Sequence, residues 1–264
     1  RDIPHLRLIN LGGEACPESL VARWARPSRQ VFNTYGPTEA TVSASLAELQ
    51  AGQPVTIGRP LPNYGLLVID PAVDNGLRLL PRGETGELCI TGPGVAAGYL
   101  GRPDLTAEKF LANPWASSLR DTRFYRTGDL ARIDADGCVQ CLGRTDDQVK
   151  IRGFRVELGE IEAALCRQPG VGTAAVLLRH DDEVERLVAY LVADGELLPT
   201  PGALRGALAE SLPPYMVPVH IETLPEMPRL TSGKIDRKAL RARPLEFAAG
   251  LSADSDEPDT PAEE

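Results

Sequence analysis

Gly143-Arg144-Thr145-Asp146-Asp147-Gln148-Val149-Lys150-Ile151-Arg152-Gly153-Phe154-Arg155 sets four cations and two acids around a short apolar alternation at Val149 and Ile151. The character of the chain changes across this stretch. Upstream, over 55–145, short alternating runs are separated by turn residues. Residues 65–70 are strand-like, and Asn75-Gly76 signals a hairpin before 77–80. Gly83-Glu84-Thr85-Gly86 turns into 87–91, and Asp136-Gly137 leads 138–142. Downstream, helix and strand alternate. Residues 160–167 predict a helix with Ile161, Ala164 and Leu165 on one side, stopped before Pro169, and 173–178 and 187–192 predict apolar strands. Thr200 is the expected N-cap of a second helix that buries Leu204, Leu208 and Leu212. At the start of the chain, residues 6–11 read as a strand running into Gly12-Gly13. Residues 17–26 read as a helix with Pro17 in its first position.

The expected fold is therefore mixed α/β. Residues 1–146 read as the remainder of a large α/β domain with a β-rich subdomain. Residues 147–247 read as a small α+β domain, and 248–264 as an acidic disordered tail or linker. The first residue is Arg and the first strand begins mid-pattern, as expected of a piece of a larger protein.

Hydrophobic residues at 42% and charged residues at 25% exclude wholesale disorder and fibrous repeats. No apolar run approaches the ~20 residues that span a bilayer, and no leader is evident, so no membrane partner and a cytoplasmic location are expected. The net charge of −9 is concentrated at the end, where 252–264 carry six acids and no base. The remaining 28 bases against 31 acids form no basic patch, which argues against nucleic acid as a partner. Five scattered cysteines suit a reducing compartment. Cys138 and Cys141 lie three apart on an expected strand and so point to opposite faces, which favours packing over metal ligation.

Three stretches carry more glycine, charge and polar aromatic content than folding requires. In Asn33-Thr34-Tyr35-Gly36-Pro37-Thr38-Glu39 a rigid turn fixes a phenol and a carboxylate on either side. An amide and an aromatic ring suit a purine, and a carboxylate beyond them suits Mg²⁺ held against phosphates; an ordinary surface turn accounts for the same residues. In Tyr125-Arg126-Thr127-Gly128-Asp129-Leu130, an Asp on a glycine turn at a strand's start either accepts ribose hydroxyls or caps its own loop. The 143–155 stretch is either a solvated hairpin face or a joint that moves. Lys234, in Ser232-Gly233-Lys234-Ile235-Asp236-Arg237, is by itself a surface lysine, since the phosphate-cradling glycine loop has a different spacing.

Taken in order, Gly12-Gly13-Glu14, residues 33–39, 86–100, 125–130, 143–162, 212–218 and 232–237 closely resemble the later signature motifs of nonribosomal peptide synthetase adenylation domains. These belong to the adenylate-forming superfamily, and the resemblance covers 1 to about 245. It implies attack of an amino acid's carboxylate on the α-phosphate of Mg·ATP, with release of pyrophosphate. Transfer to a phosphopantetheine thiol on a peptidyl carrier domain would follow, in secondary metabolism and alongside a condensation domain. By motif position Gly13 and Glu14 would line the adenine side, Asn33 would read the base and Tyr35 would stack on it. Thr38 would touch phosphate and Glu39 would hold Mg²⁺. Asp129, assisted by Arg144, would take the ribose, and Arg155 is a further phosphate-side candidate. Asp146 would be the hinge of the small domain. Lys234 would reach the α-phosphate in the first step only. Lys150 and Gly153 would face the thiol's tunnel in the second. Asn10, Gly12, Thr34, Val42 and Ser43 would line a small, neutral, polar half of the substrate pocket.

Two positions depart from the usual pattern: Ala97 stands where Arg is common, and Ser232 where Asn is usual. The family's upstream phosphate loop is not in the chain, nor is the Asp that usually holds the substrate amine. The 264 residues alone are therefore expected to be inert, with a protease-resistant fragment beginning near 147. An acyl- or aryl-CoA synthetase of the same superfamily is the alternative activity.

Overall fold

The structure, a computed structural model, describes residue 3 and residues 5–71, 77–181, 184–195 and 198–245. The Asn75-Gly76 turn and the expected tail over 248–264 lie outside these. The chain divides into two compact units, Arg1–Phe154 and Arg155–Glu264.

In the first unit β1 (Leu8–Gly12) runs parallel to β2 (Gln30–Tyr35), with α1 (Glu18–Trp24) as the crossover. Strands β3 (Ser45–Leu49) and β4 (Arg59–Pro60) continue the sheet antiparallel, in the order β1-β2-β3-β4. Val31, Ala47 and Leu49 bury against Val21, with Trp24, Ile9 and Leu11 packed around them. Pro17, expected as the first helical residue, is instead the N-cap of α1 with ψ 142°, so the helix starts one residue later, at Glu18.

The second sheet is antiparallel. Strands β5 (Gly65–Ile69), β6 (Thr85–Thr91), β7 (Phe110–Ala112) and β8 (Arg123–Ile133) lie in the order β5-β6-β8-β7, and β9 (Val139–Arg144) pairs with β8. The helix α2 (Pro103–Lys109) precedes β7 and buries no side chain. The expected strand at 77–80 is reduced to one bridge, Leu79 to Ile69. Cys138 is half-buried and Cys141 exposed, so neither is the core residue expected of it. One core joins the two sheets: Tyr35, Ala40 and Ala44 pack with Leu66, Val68, Leu88, Ile90, Ala131 and Val139. Two hydrogen bonds stitch it, from Ile57 N to the Val139 carbonyl (2.9 Å) and from Val139 N to the Gly58 carbonyl (2.8 Å).

Strands β10 (Gln148–Ile151) and β11 (Phe154–Glu157) form a two-stranded ribbon through which the chain passes to the second unit.

The second unit holds a three-stranded sheet. Strands β12 (Val171–Asp181) and β13 (Val184–Ala193) are antiparallel, and β14 (His220–Thr223) is parallel to β13. Helices α3 (Leu158–Cys166), α4 (Pro201–Ala209) and α5 (Arg237–Arg241) cover it. Ala175, Leu177, Val188 and Tyr190 pack with Leu240 of α5, and the alternate residues Val176, Leu187, Ala189 and Leu191 are also buried, so neither sheet face is open. Thr200 caps α4 by accepting from Ala203 N at 3.2 Å.

Edge strand β12 is closed by side chains. Glu162 Oε1 accepts from Val176 N at 2.8 Å, Arg237 donates to the Val176 carbonyl at 2.8 Å, and the two side chains pair at 2.8 Å. They occupy the positions a further strand would take. Because the pair is largely shielded from solvent, Arg237→Ala is expected to cost the second unit about 2 kcal/mol. Urea unfolding with a midpoint like that of the parent chain would show the cap to be dispensable.

Candidate active site

The first unit gathers three distant stretches around Asp129. This residue was expected on a turn at a strand's start, but β8 runs straight through it. Gly128 has φ +74°, and its N–H is drawn to Glu87 Oε1 (3.1 Å) while the β6–β8 register slips between Glu87 and Cys89. The glycine therefore makes a bulge, which re-aims the following side chain without ending the strand. A Cβ at Gly128 would stand 2.7 Å from Arg144 and 2.8 Å from Asp146, so the position also requires the lack of a side chain.

Asp129 is buried. Its Oδ1 accepts from Arg144 at 2.5 Å, and its Oδ2 accepts from the Tyr35 hydroxyl. Arg144 also grips Asp146 with two nitrogens, at 2.6 and 2.8 Å, and donates to the Thr127 carbonyl. Burial alone would raise the Asp146 pKa, but the Arg144 hydrogen bonds outweigh it and hold the carboxyl below its ordinary range. Burial first, then the Asp129 charge, pushes the Tyr35 phenol well above its usual value, so Tyr35 is a donor. The Lys150 ammonium lies 5.6 Å from the Tyr35 ring centroid, a cation–π contact.

Asn33 is buried and donates to the Thr56 carbonyl at 2.8 Å, which leaves its oxygen as the acceptor an exocyclic amine needs. Glu14 accepts from Gly153 N, which ties the β10–β11 turn to the Gly12-Gly13-Glu14 stretch. On β1 and β2 the register places Gly12 opposite Thr34, and Asn10 two residues from Gly12, so these three share one sheet face. Asn33 and Tyr35 belong to the other face. Thr41 and Val42 both have positive φ (57° and 69°), a conformation a β-branched residue rarely adopts. Val42 is 71% exposed. Such strain concentrates at ligand-binding loops.

Thr38 and Glu39 lie on the short turn Thr38–Ala40 that follows Gly36-Pro37. Glu39 is half-buried and accepts from the Tyr99 hydroxyl at 2.7 Å. One carboxylate beside a hydroxyl suits Mg²⁺, which takes one or two protein carboxylates and fills its other positions with water and substrate phosphates. No group of three or more His, Cys, Asp or Glu side chains that could hold a metal ion occurs among the described residues.

In the second unit Lys234 is exposed at the end of a tight turn. Leu230 N donates to the Lys234 carbonyl (2.8 Å), Arg229 donates to the Gly233 carbonyl (2.8 Å), and Arg229 bridges Ile235. Arg155 is exposed on β11.

Glu87 lies in the 86–100 motif without a role assigned from sequence, yet it underlies the site. It is 2% exposed, and its Oε2 takes two Arg126 nitrogens at 2.9 and 2.5 Å while Oε1 holds the bulge. Glu87→Gln keeps the shape but removes the charge, and is expected to cost about 2 kcal/mol. An unchanged denaturation midpoint would show the ion pair to contribute nothing.

Residues 1–100 match the AMP-binding enzyme family and residues 160–234 the AMP-binding enzyme C-terminal domain. The chain belongs to the AMP-binding enzymes. Within them it is a part of an adenylation domain of the nonribosomal peptide synthetase kind. It is 62% identical over 265 residues to Delta-poly-L-ornithine synthetase of Acinetobacter baumannii, covering 100% of this chain and 20% of that protein. An adenylation domain of Vibrio cholerae, AlmE, solved with glycyl-adenosine-5'-phosphate, superposes with a TM-score of 0.76 at 29% identity, covering 90% of this chain and 44% of that one. A fused adenylation–carrier di-domain from Klebsiella oxytoca superposes with a TM-score of 0.67 at 30% identity, covering 82% and 42%. The chain thus spans about a fifth of the curated relative and under half of each structure. No helix among the described residues is long and apolar enough to cross a membrane.

Proposed function

We propose that the protein carrying this chain activates an amino acid as its adenylate and passes it to a phosphopantetheine thiol on a carrier domain. The observation that carries this is the Tyr35–Asp129–Arg144 cluster, which unites three of the ordered motifs on one buried carboxylate. A carboxylate has about four lone-pair sites. With Tyr35 and Arg144 on two of them, Asp129 retains acceptor capacity for two ribose hydroxyls. Asn33 accepts from the adenine amine, with Tyr35 as the aromatic wall and Gly13 and Glu14 beside it. Thr38 contacts phosphate, Arg155 is a further phosphate-side candidate, and Lys234 serves the α-phosphate in the first step only. Mg²⁺ on Glu39 would neutralise charge on the phosphates when bound.

In the first step a carboxylate oxygen of the amino acid bonds to the α-phosphorus, and pyrophosphate leaves with the bond pair. In the second the thiol sulfur bonds to the acyl carbon, its proton is lost and AMP leaves. Asp146, locked to Arg144, is the proposed hinge between the two steps, and Lys150 and Gly153 border the thiol's approach. Asn10, Gly12, Thr34, Val42 and Ser43 form one side of the amino-acid pocket. The A. baumannii relative makes L-ornithine the first substrate to test. That side of the pocket offers the ornithine amine no acid, so its partner would lie elsewhere in the domain. The five free thiols suit the cytoplasm.

The test is ATP–pyrophosphate exchange by the complete enzyme across amino, aryl and fatty acids. Exchange confined to amino acids, with transfer to a carrier and not to free coenzyme A, is the expected result. Exchange only with aryl or fatty acids, or acylation of free coenzyme A, would move the assignment to the acyl-CoA synthetases.

A further inference from the structure

Glu39 is held by a segment whose role the motif roles above leave open. Residues 92–99 clasp the turn that carries it: Ala96 N donates to the Glu39 carbonyl at 2.9 Å, and Thr41 Oγ1 donates to the Gly94 carbonyl at 2.7 Å. The third tie reaches the Glu39 carboxylate itself. The Tyr99 hydroxyl donates to Glu39 Oε1 at 2.7 Å and lies 3.4 Å from the Tyr125 hydroxyl. Tyr125 is fully buried on β8, four residues before Asp129, so this chain of oxygens runs from Glu39 to the strand that carries the proposed ribose site.

Tyr99 itself has little freedom. Its ring stands edge-on to Phe110, with centroids 5.3 Å apart and planes at 72°. Its backbone N–H donates to Thr106 Oγ1 at 2.9 Å. Gly98 before it has φ +151° and no room for a Cβ beside Thr106, so the approach of the segment is fixed by backbone as well as by packing. A phenol needed only to fill space would serve equally as phenylalanine. This one aims its hydroxyl at the carboxylate proposed to bind the metal.

We propose that Tyr99 is a positioning residue for Glu39. Its hydroxyl fixes the rotation of the carboxylate, so that Mg²⁺ bound to ATP meets an oriented oxygen. The inference rests on the proposed function, through Glu39 as metal ligand. Hydrogen bonds that orient a ligating carboxylate are typically worth 10–100-fold in metal affinity.

The experiment compares the parent enzyme, Tyr99→Phe and Glu39→Gln in the complete adenylation domain. Affinity for Mn²⁺–ATP relative to metal-free ATP is measured by water-proton relaxation and calorimetry, beside the melting temperature and amino-acid affinity. Tyr99→Phe keeps the ring on Phe110. It is expected to lower the metal-dependent part of the affinity about tenfold, with melting temperature and amino-acid affinity close to the parent. The Mg²⁺ needed for half-maximal exchange should rise in step, and the rate at saturating Mg²⁺ should recover. If Glu39→Gln loosens Mn²⁺–ATP and Tyr99→Phe does not, the role of Tyr99 is overturned while the metal reading stands. A Tyr99→Phe variant that only melts lower, with metal affinity unmoved, overturns it equally. If neither variant loosens the metal, Glu39 is not its ligand and the inference falls with that reading.

Discussion

Lys234→Ala in the complete domain is expected to slow adenylate formation by roughly 10²–10³-fold, the loss typical of removing one group that stabilises developing charge. Thioester formation from supplied aminoacyl-adenylate should stay within about twofold. The structure makes this a clean substitution. Lys234 closes its turn through its backbone carbonyl, and Arg229 and the Arg229–Ile235 bridge hold the rest, while its side chain is exposed. Asp236 caps α5 independently, accepting from Ala239 N at 2.9 Å. Alanine thus removes a point charge on a long stem and leaves the turn intact. Pyrophosphate exchange measures the first step, and single-turnover transfer to pantetheine the second. Equal losses in both would show Lys234 to be structural, whatever the fate of the wider assignment.

The parts of this molecule that were legible in sequence are those whose signals are local. The apolar run at 187–192 lies within β13, and Thr200 caps α4 as its place before Pro201 implies. The motifs at 33–39, 125–130 and 143–155 were readable as a series because each has its own turn chemistry. What escaped is what depends on distant partners. Gly128 looks like a turn from its neighbours alone, and only Glu87, 41 residues away, converts it to a bulge inside a strand. Glu87 and Tyr99 both lie in the 86–100 motif, but nothing local marks their roles, because their partners Arg126 and Glu39 lie 39 and 60 residues away. Helix α2 buries nothing and so has no apolar stripe to betray it. The sequence reading of Tyr35 concerned its ring; that its hydroxyl donates to Asp129 and that the Lys150 ammonium lies beside the ring depend on partners 94 residues away and in another strand.

Asp129→Ala is expected to weaken ATP on the order of 10²–10⁴-fold while shifting amino-acid affinity far less, since two charge-assisted hydrogen bonds to the ribose are worth about 3–5 kcal/mol together. The fold adds a complication that the comparison must separate. Asp129 also satisfies Arg144 and Tyr35, so alanine leaves a guanidinium and a phenol facing the space it vacates. Asp129→Asn provides the control. It keeps the volume and one acceptor, loses the charge Arg144 faces, and can satisfy Tyr35 or a ribose hydroxyl but accepts less well from either. If Asp129 binds ribose, Asn should fall between parent and Ala in ATP affinity by calorimetry, and 2',3'-dideoxy-ATP should bind parent and Ala enzymes about equally. If Asp129 only braces the fold, both variants should lower the melting temperature and the dideoxy analogue should lose as much affinity as ATP on mutation. Unchanged ATP affinity in Asp129→Ala would remove Asp129 from the site altogether. The analogue decides between the roles because it deletes the hydroxyls from the ligand and leaves Arg144 and Tyr35 in place.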